Sequence, residues 1–196
     1  MEFTEVVRRR RMVRSFTDEP VEPSVVERAL SHAVRAPSAG FTQGWAFVVL
    51  ADPDDRSRFW EAVGLDGYRG VRPAPVLILP LSSKRSYLER YAEPDKGWTD
   101  LDESRWPAPY WDIDCGMAVL LILLSAADAG LGSLFFGIPP DRIDAVREAF
   151  SIPDDHRPIG VVALGHAAPA DVPSGSPRTR RRRPLHEVVH RGRWGG

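Results

Sequence analysis

The segment from Trp111 to Gly132, WDIDCGMAVLLILLSAADAGLG, constrains the fold of this chain more than any other. It has the length of a helix and is apolar on nearly all sides, and Gly130 stands where a helix would stop. A helix without a polar face has to be covered on every side. In a chain of 196 residues, this predicts a helix at the centre of the fold or in a large subunit interface.

Length and composition predict a single domain over residues 1–196. A chain that is 43% hydrophobic can bury one substantial core, and 26 basic against 27 acidic residues leave no net attraction to nucleic acid or to an anionic membrane. The single cysteine, Cys115, excludes an intramolecular disulfide. The N terminus lacks an apolar signal region, and the longest apolar run, Met117 to Leu124, is far shorter than the roughly 20 residues of a membrane span. We therefore expect a cytoplasmic protein without nucleic-acid or membrane partners.

Hydrophobic periodicity predicts an alternation of helices and short strands. The predicted strands are WAFVVL, PVLILPL and PIGVVALG, because each is brief, rich in branched residues and bounded by Pro or Gly. The predicted helices are FTEVVRRR, SVVERALSHAVR, DPDDRSRFWEAVG and IPPDRIDAVREAF. Ser24 with Glu27 predicts a capping box, and Asp52 predicts an N-cap before Pro53.

Two stretches do not fit this alternation. Residues 82–109 are polar with scattered aromatic side chains and are far longer than a typical connection, which predicts a lid-like insertion. Residues 167–196 pass through a Pro/Ser/Gly-rich stretch into four arginines and a short apolar end, too little for a core of its own. We expect this arm to lie against another surface, such as a second copy of the chain.

Two arginine clusters stand at opposite ends of the chain, Arg8 to Arg11 with Arg14, and Arg180 to Arg183. Each is either a solvated basic face or part of one phosphate site, where guanidinium forks match the oxygens. A nucleic-acid module is the third interpretation, and the neutral total charge argues against it.

The other candidate chemistry is sparse. Gly130 to Ser133, GLGS, lacks the third glycine of a dinucleotide fingerprint, and the five histidines have no metal-binding spacing, so we assign no metal. Asp112 and Asp114 are two residues apart and would point to different helix faces, which argues against a paired-carboxylate acid/base site. No nucleophile motif is present. If the protein is an enzyme, a bound cofactor does the chemistry.

Four motifs, taken in order, resemble the FMN-dependent nitroreductase family. They are RRMVRSF (Arg10 to Phe16), APSAGFTQGWAFVVL, DIDCGMAVLLILLSAADAGLGS and the terminal RRRRPLHEVVHRGRW. The resemblance implies an α+β fold with a mixed, largely antiparallel sheet flanked by helices. It also implies a homodimer with a domain-swapped C-terminal arm, FMN as cofactor and NADPH or NADH as electron donor.

By position, the resemblance implies that Arg10 binds the phosphate, Arg14 lies near the pyrimidine end of the flavin, and the backbone at Leu134 and Gly137 approaches its N5. Arg180 and Arg182 match the basic pair of the family's arm. The remaining implied cofactor contacts are Arg11, Met12, Pro37, Ser38, Ala39, Phe41 and Gln43. Protein catalytic residues are not expected, because the flavin carries the chemistry.

The chain departs from the family pattern at four positions. Met12 replaces a serine, Phe41 an asparagine, Gly44 a proline, and Phe136 stands where many members carry glutamate. Phe41 and Phe136 make the predicted site more apolar, which favours an aromatic nitro compound, a quinone or a related acceptor.

Two alternatives remain within this resemblance. The same residues could form a flavin-binding sensor or carrier that NAD(P)H does not reduce. A family branch that converts its flavin to dimethylbenzimidazole carries APSVGF, close to APSAGF here, but has an aspartate at the position of Met12.

Overall fold

The computed structural model describes residues 1–64, 68–172 and 179–195, which form a five-stranded sheet with helices on both faces. The helices are α1 (Phe3–Arg9), α2 (Pro23–Ala33), α3 (Pro53–Val63), α4 (Lys84–Ala92), α5 (Tyr110–Asp128), α6 (Ile143–Ala149) and α7 (Leu185–Val188). The strands are β1 (Trp45–Leu50), β2 (Val76–Ser82), β3 (Gly132–Phe136), β4 (Arg157–Pro158) and β5 (Val161–Gly165).

The sheet has the order β1-β2-β5-β3, with β4 pairing with the end of β2. Every pair of these strands is antiparallel, and the parallel component is a single bridge between Met12 and Ser133. The α+β prediction and the three predicted strands are confirmed. Strand β3 was not predicted, because its sequence was interpreted only as a helix stop.

Alternating side chains of β2 divide the core into two layers. Leu77 and Leu79 face one layer with Phe59 of α3, whereas Val76 and Ile78 face the other layer with α2 and α5. Every residue of β2 is buried, which fits a central strand covered on both faces.

Helix α5 lies in the second layer, against α2 and the sheet. By length and composition α5 could cross a membrane, with a mean hydropathy of 1.5, but half of it is buried inside this fold. A central helix of this kind passes the same test. Ile113 and Leu120 nevertheless stay exposed on its outer side, so the structure covers α5 only in part.

The two predicted helix starts have different outcomes. The Asp52 side chain accepts a hydrogen bond from the Asp54 N–H at 2.8 Å, so the predicted N-cap is confirmed. The predicted capping box is wrong, because α2 begins at Pro23 and its cap residue, Glu22, makes no side-chain cap bond. Proline has its φ preset for the first helical position, which moves the helix start ahead of Ser24.

Residues 82–109 are mostly exposed but are held by an aromatic cluster and by the buried residues Ser82, Ser83 and Tyr87. Helix α4 begins at Lys84, a 3₁₀ turn spans Glu103–Arg105, and the Trp106 ring contacts the rings of Tyr87 and Tyr91. The C-terminal arm is different, because its apolar side chains are exposed, with Trp194 88% accessible. The part of the predicted arm at residues 173–178 lies outside the described residues.

Candidate functional site

The arginine-rich segment after α1 runs beside the first residues of β3. The Val13 N–H donates to the Ser133 carbonyl at 2.9 Å, and Met12 forms the parallel bridge with Ser133. Val13 and Phe16 are buried, which anchors the segment while Arg14 between them is exposed. Two predicted parts of the site, Arg10 to Arg14 and the strand that carries Leu134, are therefore neighbours in one chain.

A cavity of about 210 Å³ opens where this segment meets the end of α5 and the start of β3. Its charged lining consists of Arg9, Arg10 and Arg11, with Gly130 and Ser133 opposite, and no carboxylate lines it among the described residues. A concave surface with cationic and small residues suits an anion.

The arginines of the two clusters differ in whether their charge is already balanced. Arg8 and Arg9 pair with Glu5, Arg11 pairs with Asp171, and Arg183 pairs with Glu187. Within residues 1–64, 68–172 and 179–195, no ion pair forms at four of the five arginines implied as flavin ligands. These are Arg10, Arg14, Arg180 and Arg182. Arg14 donates from one guanidinium nitrogen to the Met12 carbonyl at 3.3 Å, and its remaining donors and the other three side chains can bind a ligand.

Asp171 holds the arginine segment in place, and its side chain is only 3% exposed. It accepts hydrogen bonds from Arg11 and from the N–H groups of Arg14 and Ser15, both at 2.8 Å. Burial favours the neutral carboxyl, but these hydrogen bonds outweigh burial and lower the pKa of Asp171. Arg11 is therefore engaged internally, and its role as a cofactor contact stays a prediction.

Strand β3 forms the edge of the sheet and carries the next predicted contacts. Leu134 has its side chain in the core, so it offers a ligand only its backbone. Phe136 stacks on Trp60 at 6.0 Å between ring centroids, and the Tyr68 hydroxyl donates to the Gly137 carbonyl at 3.2 Å. The structure thus places Phe136 in an aromatic cluster beside the predicted site.

The loop before β1, residues 36–44, holds the remaining predicted contacts. Pro37 and Gln43 are exposed, and the Gln43 N–H donates to the Ser38 hydroxyl at 3.0 Å. Phe41 is 78% exposed and has a positive φ of 56°. The Ala39 N–H donates at 2.8 Å to a carboxylate of α5, Asp114.

One chain does not bring all predicted residues together. The 36–44 loop bonds to Asp114 near the N terminus of α5, whereas the arginine cavity includes Ala127 near its C terminus. Thirteen residues of helix separate these positions by roughly 20 Å. Arg180 and Arg182 lie on the exposed arm.

Three structural residues of the site were missed from the sequence: Tyr87, Asp114 and Asp171. Their partners are distant in the chain, so local spacing carried no signal for the pairings. The one available hint was a carboxylate within an apolar helix, since buried charges are normally paired. Cys115, next to Asp114, is also buried, and burial raises the pKa of its thiol to about 12. No cluster of three potential metal ligands occurs in the part of the chain that the structure describes.

The model of the Nitroreductase family matches residues 7–66 and 67–166, and the chain belongs to this family. A "Putative NADH dehydrogenase/NAD(P)H nitroreductase" of Archaeoglobus fulgidus is 28% identical over 195 residues, which cover 98% of this chain and 99% of that protein. Iodotyrosine deiodinase 1 of Sus scrofa is 33% identical over 125 residues, covering 63% of this chain and 36% of that protein.

Solved structures agree with this assignment. A nitroreductase family protein of Clostridium difficile 630 has a TM-score of 0.74 at 25% identity and covers 98% of this chain and 99% of that chain. A protein of Exiguobacterium sibiricum 255-15, solved in complex with FMN, has a TM-score of 0.75 at 18% identity and covers 97% of both chains. The second likeness shows the shared fold.

Proposed function

We propose that this chain is an FMN-dependent oxidoreductase of the cytoplasm that passes hydride from NADPH or NADH to an aromatic nitro compound, a quinone or a related acceptor. The observation that carries the proposal is that four of the five arginines that family position assigns to the flavin form no ion pair among the described residues, with Arg11 as the exception. Their paired neighbours Arg8, Arg9 and Arg183 have no such assignment. The name of the Archaeoglobus relative and the FMN in the Exiguobacterium structure support the cofactor and the donor.

The residues fit the phosphate end of FMN. The arginine cavity has cationic side chains from one side and the small residues Gly130 and Ser133 from the other. Arg10 would neutralise the phosphate dianion there with bidentate hydrogen bonds, and Arg180 and Arg182 would complete that charge balance. Asp171 pairs with Arg11 and fixes the backbone from which Arg14 projects.

The residues also fit the ring end. FMN supplies, when bound, the two-electron carrier between the nicotinamide and the acceptor. Arg14 would place a fixed cation at the pyrimidine end, where it favours added negative charge. Beyond Ser133, no described strand pairs with the outer edge of β3, so the backbone from Leu134 to Gly137 can orient a planar ligand through its peptide groups.

We propose that the site is completed by a second copy of the chain. The 36–44 loop is roughly 20 Å along α5 from the arginine cavity of its own chain, so the loop of a partner would supply Ser38, Ala39 and Gln43. The exposed Ile113 and Leu120 of α5 and the exposed arm offer apolar surface for such a homodimer.

Phe41 supports an aromatic acceptor. Its ring is 78% exposed at the tip of the 36–44 loop, where an exposed aromatic face can stack on a planar substrate. Phe136 would act less directly, because its ring is already stacked on Trp60.

The deciding experiment is the visible spectrum of protein that has been supplied with FMN and desalted, recorded before and after anaerobic addition of NADPH or NADH. Retained flavin absorbance that bleaches with nicotinamide is expected. Retained flavin that stays oxidised would contradict NAD(P)H turnover and favour a sensor or carrier, and loss of all flavin would overturn the cofactor assignment.

The proposed homodimer is tested separately. Light scattering on the same sample should give twice the mass of the chain.

A further inference from the structure

The carboxylate of Asp114 is one of the most buried polar groups described, and the proposed chemistry does not use it. Its residue is 1% exposed, and its Oδ2 accepts hydrogen bonds from the Ala39 N–H and the Tyr87 hydroxyl, both at 2.8 Å. A buried carboxylate costs several kcal/mol unless hydrogen bonds replace its hydration. The fold therefore retains a costly group whose two donors come from the 36–44 loop and from α4.

The loop that Asp114 binds has an unfavourable backbone. Phe41 and Gln43 adopt positive φ values of 56° and 54°, a region that side chains other than glycine rarely occupy. Hydrogen bonds within the loop restrain it, from the Phe41 N–H to the Ser38 carbonyl at 3.0 Å and from the Thr42 hydroxyl to the Ala39 carbonyl at 2.6 Å. Strained residues persist only where the surroundings hold them, so external contacts are needed as well.

Helix α4 supplies those contacts. A Cβ on Gly40 would lie 2.7 Å from the Tyr91 ring, and one on Gly44 would lie 2.5 Å from the Tyr87 ring, so both tyrosines pack directly on the loop backbone. Arg90 donates from Nε to the Gly40 carbonyl at 3.0 Å. Behind them, the ring centroid of Trp106 lies 4.5 Å from that of Tyr91. We name the segment from Lys84 to Trp106 the brace.

We infer that Asp114 is a positioning residue for FMN binding, and that the brace holds the 36–44 loop in its cofactor-binding conformation instead of closing over the flavin as a lid. The inference rests on the proposed FMN site, because Ser38 and Ala39 are the implied flavin contacts. Asp114 touches no ligand and acts through the Ala39 peptide. Without its carboxylate the strained loop relaxes, and the fraction of binding-competent loop falls.

The first test is hydrogen exchange of the FMN-free protein, compared with the variants Asp114→Ala, Asp114→Asn and Tyr87→Phe. We expect Asp114→Ala to speed exchange of the peptide that covers residues 38–44. Asp114→Asn should restore most of the protection, because its amide oxygen can accept from the same two donors. Tyr87→Phe removes only the hydroxyl and keeps the ring over Gly44. It should speed exchange of residues 38–44 only slightly, and it tests the hydroxyl in a protein whose packing is retained.

The second test is FMN affinity by fluorescence titration. Asp114→Ala should raise the apparent Kd about tenfold, as a tenfold drop in the competent fraction requires, and Asp114→Asn should return it to within about threefold of the wild type. Cys115→Ala is the matched control, since Cys115 is equally buried on the same helix but bonds to the Leu81 carbonyl. It should change neither the loop exchange nor the Kd.

Unchanged loop exchange and unchanged Kd in Asp114→Ala would overturn the inference. Slower exchange of residues 84–106 upon FMN addition without any change in residues 38–44 would also overturn it, because a lid is protected by itself, whereas a brace is protected only together with the loop that it holds. If the wild type binds no FMN, the proposed function fails and with it the positioning role toward FMN. The exchange data on the FMN-free protein still decide separately whether Asp114 fixes the loop.

Discussion

The two ends of α5 carry the two halves of the proposed site, and they are constructed in opposite ways. At the C-terminal end, Arg10 lies at a cavity with cationic lining, to which no described carboxylate contributes. At the N-terminal end, the 36–44 loop has no charged residue, and the buried Tyr87, the half-buried Tyr91 and one buried carboxylate fix its backbone. The first half is suited to bind a negatively charged group, and the second half presents a loop backbone whose shape is fixed by packing and hydrogen bonds.

This difference has a physical consequence. Attraction between exposed charges falls with ionic strength, whereas packing and buried hydrogen bonds are screened much less. Variants in the two halves should therefore differ in the size of their effect and also in how that effect depends on salt concentration.

The largest effect is expected for Arg10→Ala. A hydrogen bond to a charged group contributes about 1.5–3 kcal/mol, so loss of the phosphate contact should weaken FMN binding about 10- to 100-fold. The salt dependence of the Kd should become shallower in the same variant. Fluorescence titration at several salt concentrations measures both quantities.

Arg8→Ala is the control for that experiment. Arg8 pairs with Glu5 and does not line the cavity, so its removal should leave the Kd and the salt slope unchanged. Equal losses of FMN affinity in Arg10→Ala and Arg8→Ala would show that the cluster acts only through its overall positive charge.

The next effect is expected for Gly44→Ala in the other half. The added Cβ would lie 2.5 Å from the Tyr87 ring, and overpacking of this kind costs about 1–3 kcal/mol of unfolding free energy. Urea denaturation should show this loss independently of salt. The loss should be smaller in a Tyr87→Ala background, and an equal loss in both backgrounds would contradict the contact.

An effect of comparable size that depends on pH is expected for Asp171→Asn. Its lowered pKa in the folded state means that its charge stabilises the protein above the unfolded value of about 3.9, and that this contribution is lost as the pH falls through the folded value. Near neutral pH the variant should be less stable by roughly 1–3 kcal/mol. The two unfolding free energies should converge in acid, and a constant difference at every pH would rule out the charge as its source.

The smallest effect is expected for Phe41→Asn. Asparagine tolerates a positive φ better than phenylalanine, so unfolding free energy should stay within about 0.5 kcal/mol of the wild type. The KM for a quinone should rise a few-fold if the ring stacks on the acceptor. Unchanged steady-state kinetics would remove Phe41 from the acceptor site.

The sequence predicted the elements whose signals are local. The branched run from Trp45 to Leu50 and the Asp52–Pro53 helix start were recognised because their cause lies within a few residues. The predicted capping box at Ser24 was wrong, because Pro23 already occupies the first helical position and α2 begins there. Strand β3 was missed, because its pairing with β5 comes from a distant part of the chain.

The site divides in the same way. Family position predicted Arg10 and the 36–44 loop as flavin contacts, but it could not show that Arg11 pairs with a carboxylate 160 residues away. The link between Tyr87, Asp114 and Ala39 joins three segments that have no common local pattern. Such contacts arise only when the chain is folded.

The two tyrosines over Gly40 and Gly44 have a consequence for how sequences of this kind diverge. A larger residue at position 44 fits only if the side chain at position 87 first becomes smaller, and the same holds for positions 40 and 91. The order of such changes is therefore restricted, and each pair is expected to change together.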